Sequence, residues 1–174
     1  MSLKVLGGGP LAQLVRDASA ANSDIEFLGR RPLDEVYRAM GEAAMLVLPS
    51  VWYEGLPKVL IESFAKATPV VASRLGSLAE LVADGQTGLH FEPNDAADLA
   101  RQVDRLGGDG AARSQMRSAA RADFERKYTA ERNIRLLTET YELALRRRHA
   151  ATVNDSALAG ASSNLGAGAA GGSC

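Results

Sequence analysis

The chain has 174 residues, 46% hydrophobic and 24% charged, the balance of an ordinary globular protein of one domain or slightly more. A net charge of −1 gives no basis for a surface that tracks nucleic-acid phosphates. No apolar run approaches the ~20 residues that span a bilayer, and the single cysteine, Cys174, excludes an intrachain disulfide framework.

Met1-Ser2-Leu3-Lys4 runs directly into a strand-like segment without the pattern of a secretory leader, so the expected location is cytoplasmic. Short apolar runs then alternate with helical patterns. Leu3–Leu6 reads as a strand, and Gly7-Gly8-Gly9-Pro10 turns the chain into a helix through about Ala21. The glycines fall short of a G-x-G-x-x-G fingerprint, and no acidic residue ends the next strand, so a plain strand-to-helix turn is the better reading. Ile25–Leu28 is the second strand. Pro32 opens a helix through Met40, with Leu33, Val36, Tyr37 and Met40 on one stripe. Ala44–Leu48 is the third strand, Pro57 to Ala67 the next helix, and Val70–Ala72 the fourth strand. A short helix from Ser77 to Ala83 and the turn Asp84-Gly85 lead to a fifth strand, Gly88–Phe91. His90 within that run reads as a packed side chain. This rhythm predicts an α/β fold: a Rossmann-like parallel sheet with helices on both faces.

After Asp95 the pattern is helical only. Asp95 caps one helix, broken at Gly107-Gly108; a second covers Arg113–Lys127; Thr129 caps a third. The arginines between Arg113 and Arg126 read as an exposed helix face. The third helix is expected to end at Arg146-Arg147-Arg148, where basic charge complements the negative helix end. The Ala/Gly/Ser-rich remainder reads as disordered. The expected division is thus a lobe over residues 1–128, a C-terminal helix over 129–149 that packs on or crosses from it, and a tail over 150–174.

The chemistry concentrates in Tyr53 to Ser73, "YEGLPKVLIESFAKATPVVAS". In an open parallel sheet, ligands bind beyond the carboxyl ends of the strands, where both Glu54 and the helix beginning at Pro57 lie. Proline there loses only an orphan N–H, while those of Lys58 and Val59 stay free at a positive helix end, an anion site suited to a phosphate or diphosphate. Glu62 lies roughly 7.5 Å further along the axis at the standard rise, where its carboxylate can accept bonds from a vicinal diol. Glu54, before the turn, can hold hydroxyls of whatever the phosphates carry. Arg74, after the fourth strand, is a further phosphate candidate of low weight, while Lys58 reads equally as a phosphate ligand or as a solvated lysine.

"EGLPKVLIE", with seven residues between its glutamates, followed by "PVVAS" and "AELVADGQTGLHFEPND", resembles the donor lobe of glycosyltransferase family 4, the group 1 transferases, which are retaining enzymes of the GT-B fold. Upstream, "LKVLGGGP", "IEFLGR" and "AAMLVLPS" match further segments of that lobe in order, so the likeness covers about residues 3 to 149. The resemblance implies transfer of a sugar, of hexosyl type, from a nucleotide-diphosphate sugar to a saccharide or lipid-linked acceptor, with no metal or other cofactor. It places the catalytic motif glutamate on Glu54, near the reacting sugar carbon, and the ribose-binding one on Glu62. Gly55, Leu56, Pro57, Lys58 and Val59 would surround the diphosphate, and Arg30 and Arg31 would lie where the family reads the base.

Three departures stand out. Ala67 occupies a position that is usually glycine, and Ser77 replaces the second glycine of a Gly-Gly turn. The family's lobe also begins one strand and one helix earlier, with a Gly-Arg-Leu segment and a lysine, and that strand lies between the counterparts of Leu3–Leu6 and Ala44–Leu48. Its lack would leave unpaired ladder groups and an open core. The N-terminal acceptor lobe is missing as well, so the expectation is a fragment that is marginally stable and inactive alone. The implied partners are a nucleotide sugar and the missing lobe, with membrane contact only through a lipid-linked acceptor and no nucleic acid. Two other readings stay open: a non-catalytic nucleotide-binding or interaction module, and a fragment of a GT-B sugar-nucleotide epimerase.

Overall fold

A computed structural model describes the backbone of residues 1–164 and the side-chain surroundings of residues 1–148. Its first unit, Met1–Tyr128, alternates strands and helices: β1 (Leu3–Leu6), α1 (Ala12–Ala21), β2 (Ile25–Gly29), α2 (Leu33–Glu42), β3 (Leu46–Leu48), α3 (Lys58–Ala65), β4 (Val70–Ser73), α4 (Gly76–Leu81), β5 (Gly88–Phe91), α5 (Ala96–Gly108) and α6 (Gly110–Lys127). All pairings are parallel, but they form two sheets, β1-β2 and β3-β4-β5. Among the described residues β1 pairs only with β2, and β3 only with β4.

The three-stranded sheet carries the core. Along β4 the side chains alternate, as period two requires. Val70 and Ala72 join Leu60, Phe64, Leu78, Val82 and Ala120 on one face, while Val71 joins Leu89, Phe91, Leu106 and Met116 on the other. Helices α3 and α4 therefore cover one face and α5 the other, and α6 contributes to both clusters. The contrast with β1-β2 is sharp: none of residues 1–39 is buried. The β1-β2 sheet thus adds no residue to either core cluster.

Gly88 crosses β4 so closely that a Cβ would lie 2.0 Å from the Val70 carbonyl oxygen, so only glycine fits. At the end of α3, Ala67 N–H donates to the Phe64 carbonyl (3.0 Å) and Thr68 N–H to the Ser63 carbonyl (2.9 Å). This is the Schellman closure, which places Ala67 in the left-handed region at φ 56°. Thr68 Oγ1 then donates to the Met40 carbonyl (2.7 Å), tying that turn to the end of α2.

Three expectations need correction. The helix α6 starts at Gly110, not Arg113, because Asp109 is its cap and accepts from Ala112 N–H at 2.8 Å. Its arginines are not simply a solvated face. Arg113 donates to the carbonyls of Leu106 and Gly107, Arg117 to those of Gly41 and Ala43, and Arg121 to that of Ala65. Spaced four residues apart, they satisfy carbonyls at the ends of α5, α2 and α3, where helices leave acceptors unpaired and carry negative charge. The last helix, α7, spans Ala130–Asn164, so the first part of the expected tail is helical and the basic triplet lies within the helix. Alanine is the strongest helix former, and Ala150, Ala151, Ala157, Ala159 and Ala161 continue the helix without an intervening proline. Residues 165–174, Cys174 among them, lie outside the described residues. No helix among the described residues is long and apolar enough to cross a membrane.

Candidate functional site

The motif occupies the loop from β3 to α3 and the helix itself. Ser50, two residues past β3, is fixed by Ser73 at the end of β4, whose Oγ donates to the Ser50 carbonyl (2.7 Å). The Ser50 hydroxyl in turn donates to Glu54 Oε1, so this half-buried carboxylate is oriented from the sheet edge. Tyr53 packs on Gly76, where a Cβ would come within 2.8 Å of its ring, and Gly76 has φ +52°. The loop thereby rests against the start of α4.

Pro57 is the N-terminal residue before α3, with φ −67° and ψ 110°, and it is buried. It anchors the turn, and as a residue without N–H it offers no donor. Leu60 N–H donates to the Pro57 carbonyl (3.1 Å), so the free backbone donors of the helix start belong to Lys58 and Val59. Gly55, Leu56 and Lys58 are exposed and Val59 is half-buried, so the turn is open to solvent. One turn into α3, the Glu62 side chain is 19% exposed and its Oε1 has two partners. Tyr37 on α2 donates its hydroxyl at 2.9 Å, and the Lys58 ammonium stands 3.3 Å away. The hydrogen bond to Glu62, aided by partial desolvation and the carboxylate charge, raises the Tyr37 hydroxyl above its ordinary 10.0.

The two arginines after β2 have local partners. Arg31 Nε donates to the Leu28 carbonyl (3.0 Å) and its Nη1 lies 3.8 Å from Glu35, while Arg30 reaches back over Gly8. Arg31 lines an open groove of about 260 Å³ with Leu6, Leu28, Glu35, Arg38, Ala39 and Glu42. The structure thus joins Lys58 to Glu62 and Ser50 to Glu54, and sets Arg30 and Arg31 at the end of the other sheet. Arg74 is engaged by Glu92 (3.4 Å) and Asp84 (3.8 Å). His90 is buried, its Nε2 donating to the Val82 carbonyl at 2.9 Å, as a packing residue does. Among the described residues no group of three or more His, Cys, Asp or Glu is placed to hold a metal ion.

Sequence reasoning missed Ser50, Ser73 and Tyr37. The signal for Tyr37 was available: a phenol on a core-facing stripe brings a polar tip that needs a partner.

A family profile described as Glycosyl transferases group 1 matches residues 1–109, the span from β1 through this site to α5. The chain belongs to the group 1 glycosyltransferases. It is 33% identical to a glycosyltransferase of Methanocaldococcus jannaschii, MJ1178, over 143 residues, which are 81% of this chain and 40% of that protein. It is 39% identical to a Mycobacterium tuberculosis glycogen synthase over 103 residues, 57% of this chain and 25% of the synthase. The fold matches Anabaena HepE, solved in complex with UDP, with a TM-score of 0.73 at 20% identity, across 82% of this chain and 41% of HepE. Such neighbours are GT-B glycosyltransferases. The chain spans about two fifths of the length of MJ1178 and of HepE.

Proposed function

We propose that this chain is the donor-binding portion of a retaining glycosyltransferase, which moves a hexosyl group from a nucleotide-diphosphate sugar to a saccharide or lipid-linked acceptor. The observation that carries the reading is the layout of the motif. An open turn delivers two free backbone N–H groups at the positive end of α3, with an oriented carboxylate before it and another one turn beyond. A diphosphate at the helix start is held by those donors and by the dipole, and Glu62 accepts from the ribose hydroxyls. Glu54 faces the transferred sugar. In the reaction the bond from the anomeric carbon to the diphosphate oxygen breaks, its electron pair passing to the diphosphate. The acceptor hydroxyl oxygen bonds to the same carbon on the same face, its proton passes to the departing diphosphate oxygen, and the helix start stabilises the departing charge.

The solved complexes of HepE with UDP and with UDP-glucose support a nucleotide sugar as the donor class. The acceptor falls to a lobe outside these residues, so the isolated chain is expected to bind donor weakly and transfer nothing. No metal or other cofactor enters this scheme. Calorimetry of the chain with UDP, GDP and ADP tests the reading. Saturable heat with one of the three is the expected result; no binding of any would overturn it.

A further inference from the structure

Glu62 does not hold its own orientation. Its carboxylate is reached from another helix by Tyr37, 25 residues earlier, whose hydroxyl donates to Oε1 at 2.9 Å. The phenol is itself fixed on two sides. The Lys66 ammonium stands over its ring, 5.3 Å from the centroid, and Met40, one turn further along α2, is bound by Thr68 at the end of α3. Arg117 closes the end of α2 by bonding the Gly41 and Ala43 carbonyls at 3.0 and 2.9 Å. Tyr37 is therefore delivered by a helix whose end is pinned in place, which a surface tyrosine would not need.

We propose that Tyr37 is a positioning residue for the donor site: its hydroxyl occupies Glu62 Oε1, together with Lys58, and turns Oε2 toward the hydroxyls of the ribose. The inference rests on the donor-binding reading above. A glutamate side chain on a helix has more than one staggered rotamer open to it. With Oε1 held by a phenol and an ammonium, one oxygen remains for the ligand, and it remains a pure acceptor suited to hydroxyl donors. Preorganisation of this kind lowers the ordering cost of binding. Lys58 alone does not supply it, since its side chain is 82% exposed on a flexible stem.

The test is calorimetry on the full chain and on Tyr37→Phe, which keeps the ring, its packing and its contact with Lys66. The probe is whichever of UDP, GDP and ADP binds the wild type, alongside its 2′-deoxy counterpart. Tyr37→Phe is expected to weaken the ribonucleotide about tenfold, the scale of one hydrogen bond to a charged group. It is expected to weaken the deoxy form less, because that form offers Glu62 only its 3′ hydroxyl, so that discrimination between the two sugars narrows. In a Glu62→Ala background the same substitution should change nothing further. Equal weakening of both nucleotides would mark a merely structural role and overturn the inference, as would unchanged or tighter binding. Those results leave the donor site standing. Failure of all three nucleotides to bind the wild type removes the site and this inference together.

Discussion

Ser50 donates its hydroxyl to the Glu54 carboxylate, and the backbone of Ser50 is itself held by Ser73 at the end of β4. The sheet edge thus sets the direction of the residue proposed to meet the transferred sugar. This separates two binding contributions. Glu54→Ala is expected to leave affinity for the free nucleoside diphosphate within about twofold and to remove the extra affinity of the intact sugar nucleotide. Ser50→Ala should show a weaker version of the same pattern, since the carboxylate stays but loses one bond to a charged group, a net contribution of about 1.5–3 kcal/mol at most. Paired titrations with UDP and UDP-glucose, or the matching pair for another base, read this directly. A loss shared equally by both ligands would contradict the assignment.

Ala67 holds a backbone conformation that glycine suits better. At φ 56° it closes the Schellman turn of α3, and its Cβ is the source of the strain. The left-handed region costs an L-residue about 1–2 kcal/mol, and glycine gives back about 0.4–1 kcal/mol through the entropy of the unfolded chain. Ala67→Gly is therefore expected to stabilise the protein by about 0.5–1 kcal/mol. Urea unfolding measures it, with a raised midpoint and an unchanged slope. A lowered midpoint would show that the strain is relieved elsewhere.

Arg117 binds two carbonyls across 74 and 76 residues of sequence. No other described group bonds the Gly41 carbonyl, so Arg117→Met should keep the packed stem and lose both bonds. Removing charged donors from partly buried acceptors costs about 1–3 kcal/mol. Denaturation of the variant should show that loss. A stability equal to wild type would return Arg117 to the role of a solvated charge. Because α2 carries Tyr37, the same variant should also weaken nucleotide binding.

The strands and the motif were legible because each is encoded within a few residues. Continuous apolar runs such as Val70-Val71-Ala72 make buried strands, and Asp95 fits its cap position, its side chain accepting from Asp98 N–H at 2.9 Å. The seven-residue spacing between Glu54 and Glu62 survives as one turn and one helix. What local pattern did not carry was the partner of each polar group. Arg113, Arg117 and Arg121 have the period of an exposed stripe, and only the packed helices reveal carbonyls beneath them. Tyr37 and Glu62 meet across two elements, a relation that periodicity within one helix does not contain. The extent of α7 was underestimated for a different reason: small residues read as tail by composition, while alanine favours helix by backbone propensity.

Asp98 gives the lobe a component of acid sensitivity. It is buried at the start of α5 and accepts from Glu92 N–H (2.8 Å), Gln102 Nε2 (3.1 Å) and Arg101 Nη2 (2.6 Å). The backbone bond from Glu92 is the chief cause that holds its carboxyl below the usual 3.8, with Gln102 and Arg101 adding to it against desolvation. A carboxylate depressed in the folded state contributes stability above its unfolded value of 3.8 and loses it as pH falls through the folded value. Other acids titrate in the same range, so the informative quantity is a difference between proteins. Asp98→Asn should be less stable than wild type at pH 6, and the gap should narrow at pH 3 as the wild-type carboxylate takes up its proton. Urea midpoints of both proteins at the two pH values check this. A gap of constant size would mean that shape, not charge, is what Asp98 supplies to the turn between β5 and α5.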